Sequence, residues 1–348
     1  MKNATIIGAT GFGGLGLIEI LLRHPEFKIK QLAARKDVGK RVDEVFPHLN
    51  GFCDLMVESP EAIDYSGIDI AFFSTPDRAG MMLISEFFKR GIPVIDFSGD
   101  FRFNDTETYS AYARFKGMED RHLSPEILAH AVYGLPEINA DKIRKAKVVG
   151  NPGCFAVSIM LGLLPTVEMG LADSPTIICD GKTGVSGAGK NPGEANFYPQ
   201  RYENVNTYRE GKHQHIYEVE NVLNSRSKNK VKIMFVPQIV PLNRGILSTM
   251  YAPAKSGLTT KKALDVYREY YAGKHFVVVT DKSPNTTDVR GSNRCEIRPM
   301  VDERTGTLFV TSVIDNLVKG QAGNAVQNAN IILGFDEKTG LDVPAFYP

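Results

Sequence analysis

Over its first 150 residues the chain alternates short apolar runs with segments whose apolar residues recur at helical spacing. Residues 4–7 read as a strand; Leu15, Leu17, Ile18, Leu21 and Leu22 follow at helical intervals until His24-Pro25 ends the helix. Strands over 29–33 and 68–74, a helix over 78–90, and strands over 93–97 and 147–150 complete the run. The strands are apolar throughout rather than alternating. That pattern predicts an α/β fold, a Rossmann-type doubly wound parallel sheet covered on both faces. Beyond Cys154 the texture changes. A helix over 155–168 precedes longer strands over 176–180, 232–237, 246–252, 276–280 and 308–314, with fewer helices between them. This predicts a second, α+β domain with a mixed or antiparallel sheet. A last helical pattern covers 322–334, and the polar stretch 224–230 reads as a surface loop.

Composition narrows the class. At 348 residues the chain has the length of two domains. Its 43% hydrophobic and 23% charged residues are those of a globular protein, and a net charge of +1 argues against a basic nucleic-acid surface. MKNATIIGAT runs directly into a strand with no leader pattern, and no run of about 18 apolar residues suggests a membrane span, so a cytoplasmic protein is expected. Cys53, Cys154, Cys179 and Cys295 are far apart, poor spacing for zinc, and free thiols are expected.

Two segments carry candidate chemistry. In IIGATGFGG, Gly8, Gly11 and Gly14 are three apart between a strand and a helix, with Thr10, Phe12 and Gly13 in the same turn. Glycines there permit a tight turn and let backbone N–H groups approach a pyrophosphate at the helix N-terminus. A plain turn is the alternative, and the strand–turn–helix context favours the dinucleotide. At the end of the second strand, Arg35 and Lys36 suit a 2′-phosphate, hence NADP(H), unless they are simply solvated cations.

The other segment is VVGNPGCFAVSIM. Asn151-Pro152-Gly153 turns the chain at the carboxyl end of a strand, where such sheets bind ligands, and leaves Cys154 near a helix N-terminus. Helix dipole and unpaired N–H groups there lower a thiol's pKa; a buried structural cysteine is the competing reading. Proton-transfer partners are offered by GKHQHIYEVE. His213 and His215, two apart, should diverge on either a strand or a helix, with Glu218 near His215 if the segment is helical. HxHxxE as a metal set lacks a further ligand at proper spacing. Arg102, in DFRF, suits a carboxylate or phosphate clamp or a structural Asp-Arg pair. KTGVSGAGK suits an anion nest or a flexible connection.

In order, GATGFGG, DFRF, AVYGLPE, NPGCF, GVSGAGK, ENVNTY with HQHIYE, VPLNRGILSTMY and NLVKGQAGNAVQN span nearly the whole chain. The chain thereby resembles the N-acetyl-γ-glutamyl-phosphate reductase family, relatives of the aspartate-semialdehyde dehydrogenases. The resemblance implies an NADP-binding domain over 1–153, completed by 316–348, and a catalytic and oligomerisation domain over 154–315, in a homodimer or homotetramer. It implies Cys154 as nucleophile and His213 as acid/base, with Arg102, Glu218 and His215 on the substrate side. Cofactor contacts are expected at Gly8, Thr10, Gly11, Phe12, Gly13, Gly14, Arg35, Lys36, Ser74 and Gly187, and the resemblance implies Asn316 near the nicotinamide.

The implied reaction is NADPH-dependent reduction of a small acyl phosphate, N-acetyl-L-glutamyl 5-phosphate, to the semialdehyde through a Cys154 thioester, in arginine biosynthesis. The sequence departs from the family at NPGCFAV for NPGCYPT, at Gln238 for a histidine and at Lys190 for an arginine. Competing assignments are a related reductase whose substrate is attached to a carrier protein, aspartate-semialdehyde dehydrogenase, and a nucleotide sensor without catalysis. The near-neutral charge favours the free acetylated substrate.

Overall fold

The computed structural model describes residues 1–347, and for Ala195 the backbone alone. It divides into two compact units, Met1–Pro152 with Gln321–Val343, and Gly153–Gly320 with the chain from Pro344.

The first unit is built on seven strands: β1 (Lys2–Ile7), β2 (Phe27–Ala33), β3 (Val57–Glu58), β4 (Ile70–Phe73), β5 (Val94–Asp96), β6 (Ala131–Tyr133) and β7 (Val148–Gly150). They lie in the order β3-β2-β1-β4-β5-β7-β6, and every pairing is parallel. The expected parallel sheet is present, and its centre is buried on both faces, as the four buried residues of β4 show. Order reverses between β1 and β4, the position where doubly wound sheets take their ligands. The helix Gly323–Ile332 packs against the helices Phe12–Leu21 and Pro136–Ile143 and against β5.

The second unit carries β8 (Thr176–Thr183), β9 (Asn206–Thr207), β10 (Lys232–Ile239), β11 (Ile246–Pro253), β12 (Val277–Val279), β13 (Cys295–Asp302) and β14 (Thr307–Ile314). The order is β12-β13-β14-β11-β8-β10-β9; β12/β13 and β8/β10 are parallel, the other pairings antiparallel. This is the expected mixed sheet. Its long strands alternate buried with more exposed positions, so one face is covered and the other is not. The helix Cys154–Glu168 packs against β11, β13 and β14 and against the helix His215–Arg226, and almost every residue in it is buried. Its apolar sequence reflects burial on all sides.

Several expected elements are corrected. The helix placed at 78–90 begins at Met81, because Arg78 has φ 66, outside the helical region. The loop placed at 224–230 starts three residues late, since the helix His215–Arg226 runs into it. β13 was not expected; its burial alternates strictly, but in its sequence CEIRPMVD the apolar–polar alternation is lost at Pro299-Met300. The short β3, β6 and β9 have too few residues to show a period.

Candidate functional site

In the first unit the glycine turn closes β1 against β2 and β4. Gly8 has φ +85, a conformation that favours glycine, and a side chain there would run into the backbone of Ser74. The Gly8 and Ala9 N–H groups donate to the carbonyl of Ala33 at 2.7 and 3.1 Å. A side chain at Gly14 would strike the Gly8 carbonyl and come 2.6 Å from the Ala9 Cα. One at Gly13 would strike the Ser74 hydroxyl and lie 2.9 Å from Gln321 Nε2. Gly11 caps the helix Phe12–Leu21 through its backbone alone, with no side-chain hydrogen bond to the first turn. Thr10 is buried and Phe12 partly exposed. A tight glycine turn ending in a helix N-terminus that has no side-chain cap fits a pyrophosphate. Arg35 and Lys36 are exposed just beyond the end of β2, Arg35 standing 3.8 Å from Glu61.

Arg102 is buried after β5. Its Nε donates to the carbonyl of Asn151 at 2.9 Å and its Nη2 to the carbonyl of Phe97 at 2.7 Å. It therefore braces the turn before Cys154, and the neighbouring Asp100 instead accepts from the Arg78 N–H at 2.5 Å. Burial raises Asp96 to about 6; burial, reinforced by the Asp96 charge, raises Asp100 to about 7. Asn151, immediately before Pro152, is held on its other side. Its Oδ1 accepts from Asn324 and Asn328 Nδ2 at 2.8 and 3.3 Å, and its Nδ2 donates to the Gln321 carbonyl at 3.1 Å.

In the second unit Cys154 is the first residue of its helix and partly exposed, while the other three cysteines are buried. Gly153 caps that helix with an extended backbone and no side chain. The Gly153 N–H donates to Glu218 Oε1 at 3.0 Å. The His215 ring lies directly over the Gly153 Cα, so a side chain there would collide with Nε2. Nε2 is also 3.9 Å from Glu218 Oε2, and both residues are buried. Gly320, of NLVKG, packs on the same cysteine: a Cβ there would come 2.8 Å from the Cys154 Cβ.

The two histidines do not diverge. His213 lies in the turn before the helix that starts at His215, its Nδ1 accepts the His215 N–H at 3.3 Å, and the rings are 4.6 Å apart. His213 is packed edge-on to Phe155, Tyr208 and Phe235. Burial, helped by the adjacent Cys154, pushes the Tyr208 phenol far up. Tyr208 lies just past β9, within the quoted ENVNTY segment, but nothing in that sequence marks its proximity to the cysteine.

Asn316 belongs to this unit and is engaged at both polar atoms: Oδ1 accepts the Gly245 N–H at 2.8 Å and Nδ2 donates to Ser186 Oγ at 3.0 Å. It ties down the GVSGAGK loop, where Gly187 is exposed in the turn Val185–Ala188. Among the described residues no group of three His, Cys, Asp or Glu is arranged to hold a metal, and no helix is long and apolar enough to cross a membrane.

Residues 3–146 match the family described as semialdehyde dehydrogenase, NAD binding domain, and residues 154–316 that described as semialdehyde dehydrogenase, dimerisation domain. The N-acetyl-gamma-glutamyl-phosphate reductase of Pelobacter propionicus is 43% identical over 352 residues, covering 100% of both chains. The protein of that name from Thermoanaerobacter sp. is 41% identical over 354 residues, again covering 100% of each. Aspartate semialdehyde dehydrogenase II of Vibrio cholerae, complexed with ASA, has the same fold, with a TM-score of 0.72 at 18% identity over 96% of this chain and 98% of that one. The Candida albicans enzyme with NADP gives 0.68 at 18% identity, over 96% and 98%.

Proposed function

The chain belongs to the N-acetyl-gamma-glutamyl-phosphate reductase family of semialdehyde dehydrogenases, and on that premise we propose how its residues share the reaction. The protein is an NADP-dependent oxidoreductase of arginine biosynthesis. It converts N-acetyl-L-glutamyl 5-phosphate to N-acetyl-L-glutamate 5-semialdehyde and phosphate. NADPH, when bound, supplies the reducing equivalent.

The first unit is the cofactor domain. Residues 8–14 and Ser74 hold the pyrophosphate region, and Arg35 and Lys36 take the 2′-phosphate. The second unit is the catalytic domain. The observation that carries this reading is Cys154 at the start of its helix, with the His215–Glu218 pair packed on the residue before it. The sulfur attacks the acyl carbon, the carbon–oxygen bond to phosphate breaks, and a thioester forms on Cys154. His215 receives the thiol proton and passes it to the departing phosphate. Once the thioester is reduced, the carbon–sulfur bond breaks, and the sulfur regains its proton from solvent through the same imidazole. Glu218 holds both the ring and the Gly153 N–H, and N–H groups of the first helical turn stabilise the tetrahedral oxyanion.

This moves the acid/base role from His213, where the resemblance put it, to His215. His213 becomes the support beneath it, hydrogen-bonded at 3.3 Å to the His215 backbone. Arg102 and Asn316, whose polar atoms hold backbone carbonyls and loops, become positioning residues.

The substrate is a free small-molecule acyl phosphate, and the protein works in the cytoplasm as a homodimer or homotetramer. The uncovered face of the second sheet, with exposed Ile178, Met234 and Tyr251, supports a contact between two copies through this unit.

The reverse reaction tests the assignment, because the acyl phosphate is labile. N-acetylglutamate semialdehyde, phosphate and NADP should yield NADPH in a phosphate-dependent way, and Cys154→Ala should abolish the signal. A folded, NADP-binding protein that gives no signal would point to a carrier-linked substrate or another aldehyde.

A further inference from the structure

The cradle at the reversal between β1 and β4 is formed by more than the glycine turn and Ser74. A side chain from the far end of the chain reaches it. Gln321 belongs to the first unit, in the single turn of π-helix Val318–Ala322. A Cβ on Gly13 would lie 2.9 Å from its Nε2 and 3.2 Å from its amide carbon. The same Cβ would strike the Ser74 hydroxyl, so the Gly13 backbone, the Ser74 hydroxyl and the Gln321 carboxamide form one contiguous surface. The position is fixed from behind, since the Gln321 carbonyl accepts from Asn151 Nδ2 at 3.1 Å and Asn151 is in turn held by Asn324 and Asn328.

This carboxamide is incompletely used. Among the described residues Gln321 Oε1 is buried with no hydrogen-bond partner, as is Oγ1 of Thr75, the residue after Ser74. Buried acceptors without partners are rare in folded chains, and an absent ligand is one established cause. A half-turn about the last side-chain bond, a soft torsion, puts Oε1 where Nε2 now faces Gly13. Either a donor or an acceptor can thus be presented at the turn.

The side of the sheet identifies the ligand half. Arg35 and Lys36 follow β2, on one side of β1; Ser74 follows β4, on the other. A dinucleotide lying across the reversal has its adenosine 2′-phosphate on the first side and its nicotinamide nucleotide on the second. We propose that Gln321 is a cofactor-binding residue whose carboxamide hydrogen-bonds the nicotinamide-nucleotide half of NADP(H), through a ribose hydroxyl or the nicotinamide amide. Gln321 lies within the NLVKGQAGNAVQN segment, of which Asn316 alone was expected as a cofactor contact. The proposal rests on the reading that the first unit binds NADP(H).

The test compares NADPH with 2′,5′-ADP, which carries the adenosine half alone, by titration calorimetry on the full chain. Gln321→Met keeps length and volume and removes both hydrogen-bonding groups; Gln321→Ala serves if that variant fails to fold. The expected result is NADPH binding weakened about tenfold or more, with 2′,5′-ADP binding and the ligand-free unfolding midpoint unchanged. Unchanged NADPH affinity, or equal weakening of both ligands, overturns the assignment of Gln321. A wild-type protein that binds neither ligand overturns the cofactor reading beneath it, and the two failures are distinguishable.

Discussion

At Gly153 a hydrogen atom takes the place of a side chain for a reason that is not conformational. Its φ of -73 and ψ of 151 suit any residue, yet the space where a Cβ would go is filled by the His215 ring. Gly153→Ala should therefore fold and bind cofactor while displacing the imidazole. Turnover should fall by about two orders of magnitude, the lower end of what a positioned acid/base contributes; wild-type kcat would contradict the placement of His215. The four thiols should separate in the same way. Burial pushes Cys53 and Cys179 up, whereas Cys154 is partly exposed at a helix N-terminus. Iodoacetamide at neutral pH, read by peptide mass spectrometry, should modify Cys154 well ahead of the others. NPGC already singled out this cysteine. The sequence did not discriminate between the histidines: their spacing predicts divergence on a regular element, and His213 lies outside the helix that His215 begins.

At the scale of elements, the helix Gly323–Ile332 shows how a remote segment steadies a turn. Asn324 Nδ2 donates to the Gly134 carbonyl at 2.7 Å and to Asn151 Oδ1 at 2.8 Å. Asn324→Ala would leave those buried acceptors short of a donor. Urea unfolding should show a loss of about 1–3 kcal/mol, and a loss under about 0.5 kcal/mol would mean that Asn328 or water substitutes. The helical period of this segment was legible, because apolar residues repeat along it. Its asparagines were not legible as buried, since residues of that type are ordinarily exposed. The first sheet was read well for a related reason: buried parallel strands are continuous apolar runs. In each sheet five of the seven strands were legible: β3, β6 and β9 are too short to show a period, and β13 loses its apolar–polar alternation at Pro299-Met300.

At the scale of the whole molecule, the buried Asp96 and Asp100 connect the fold to pH. In the unfolded chain both lose their protons near the ordinary value of 3.8, whereas the folded protein holds them to about 6 and about 7. Between about pH 4 and pH 7 the native state thus binds more protons than the unfolded one. Stability from this pair falls as pH rises through that window and levels off above it. Asp100→Asn should remove much of the slope, with a relief of about 1–4 kcal/mol at pH 8 relative to pH 5. Urea midpoints at the two pH values, wild type against variant, would show it; parallel slopes would refute it.

The amino-acid order by itself determined the two-part architecture, the glycine turn and the cysteine at a turn into a helix. Those features are local: periodicity, turn chemistry and nearest-neighbour spacing are written along the chain. Only the tertiary structure decided that His215 rather than His213 lies over Gly153, that Arg102 and Asn316 are engaged in bracing, and that Gln321 reaches a turn some three hundred residues earlier. Each depends on which distant backbone group a polar side chain meets once the sheets have formed, and no period or spacing in one chain carries that information.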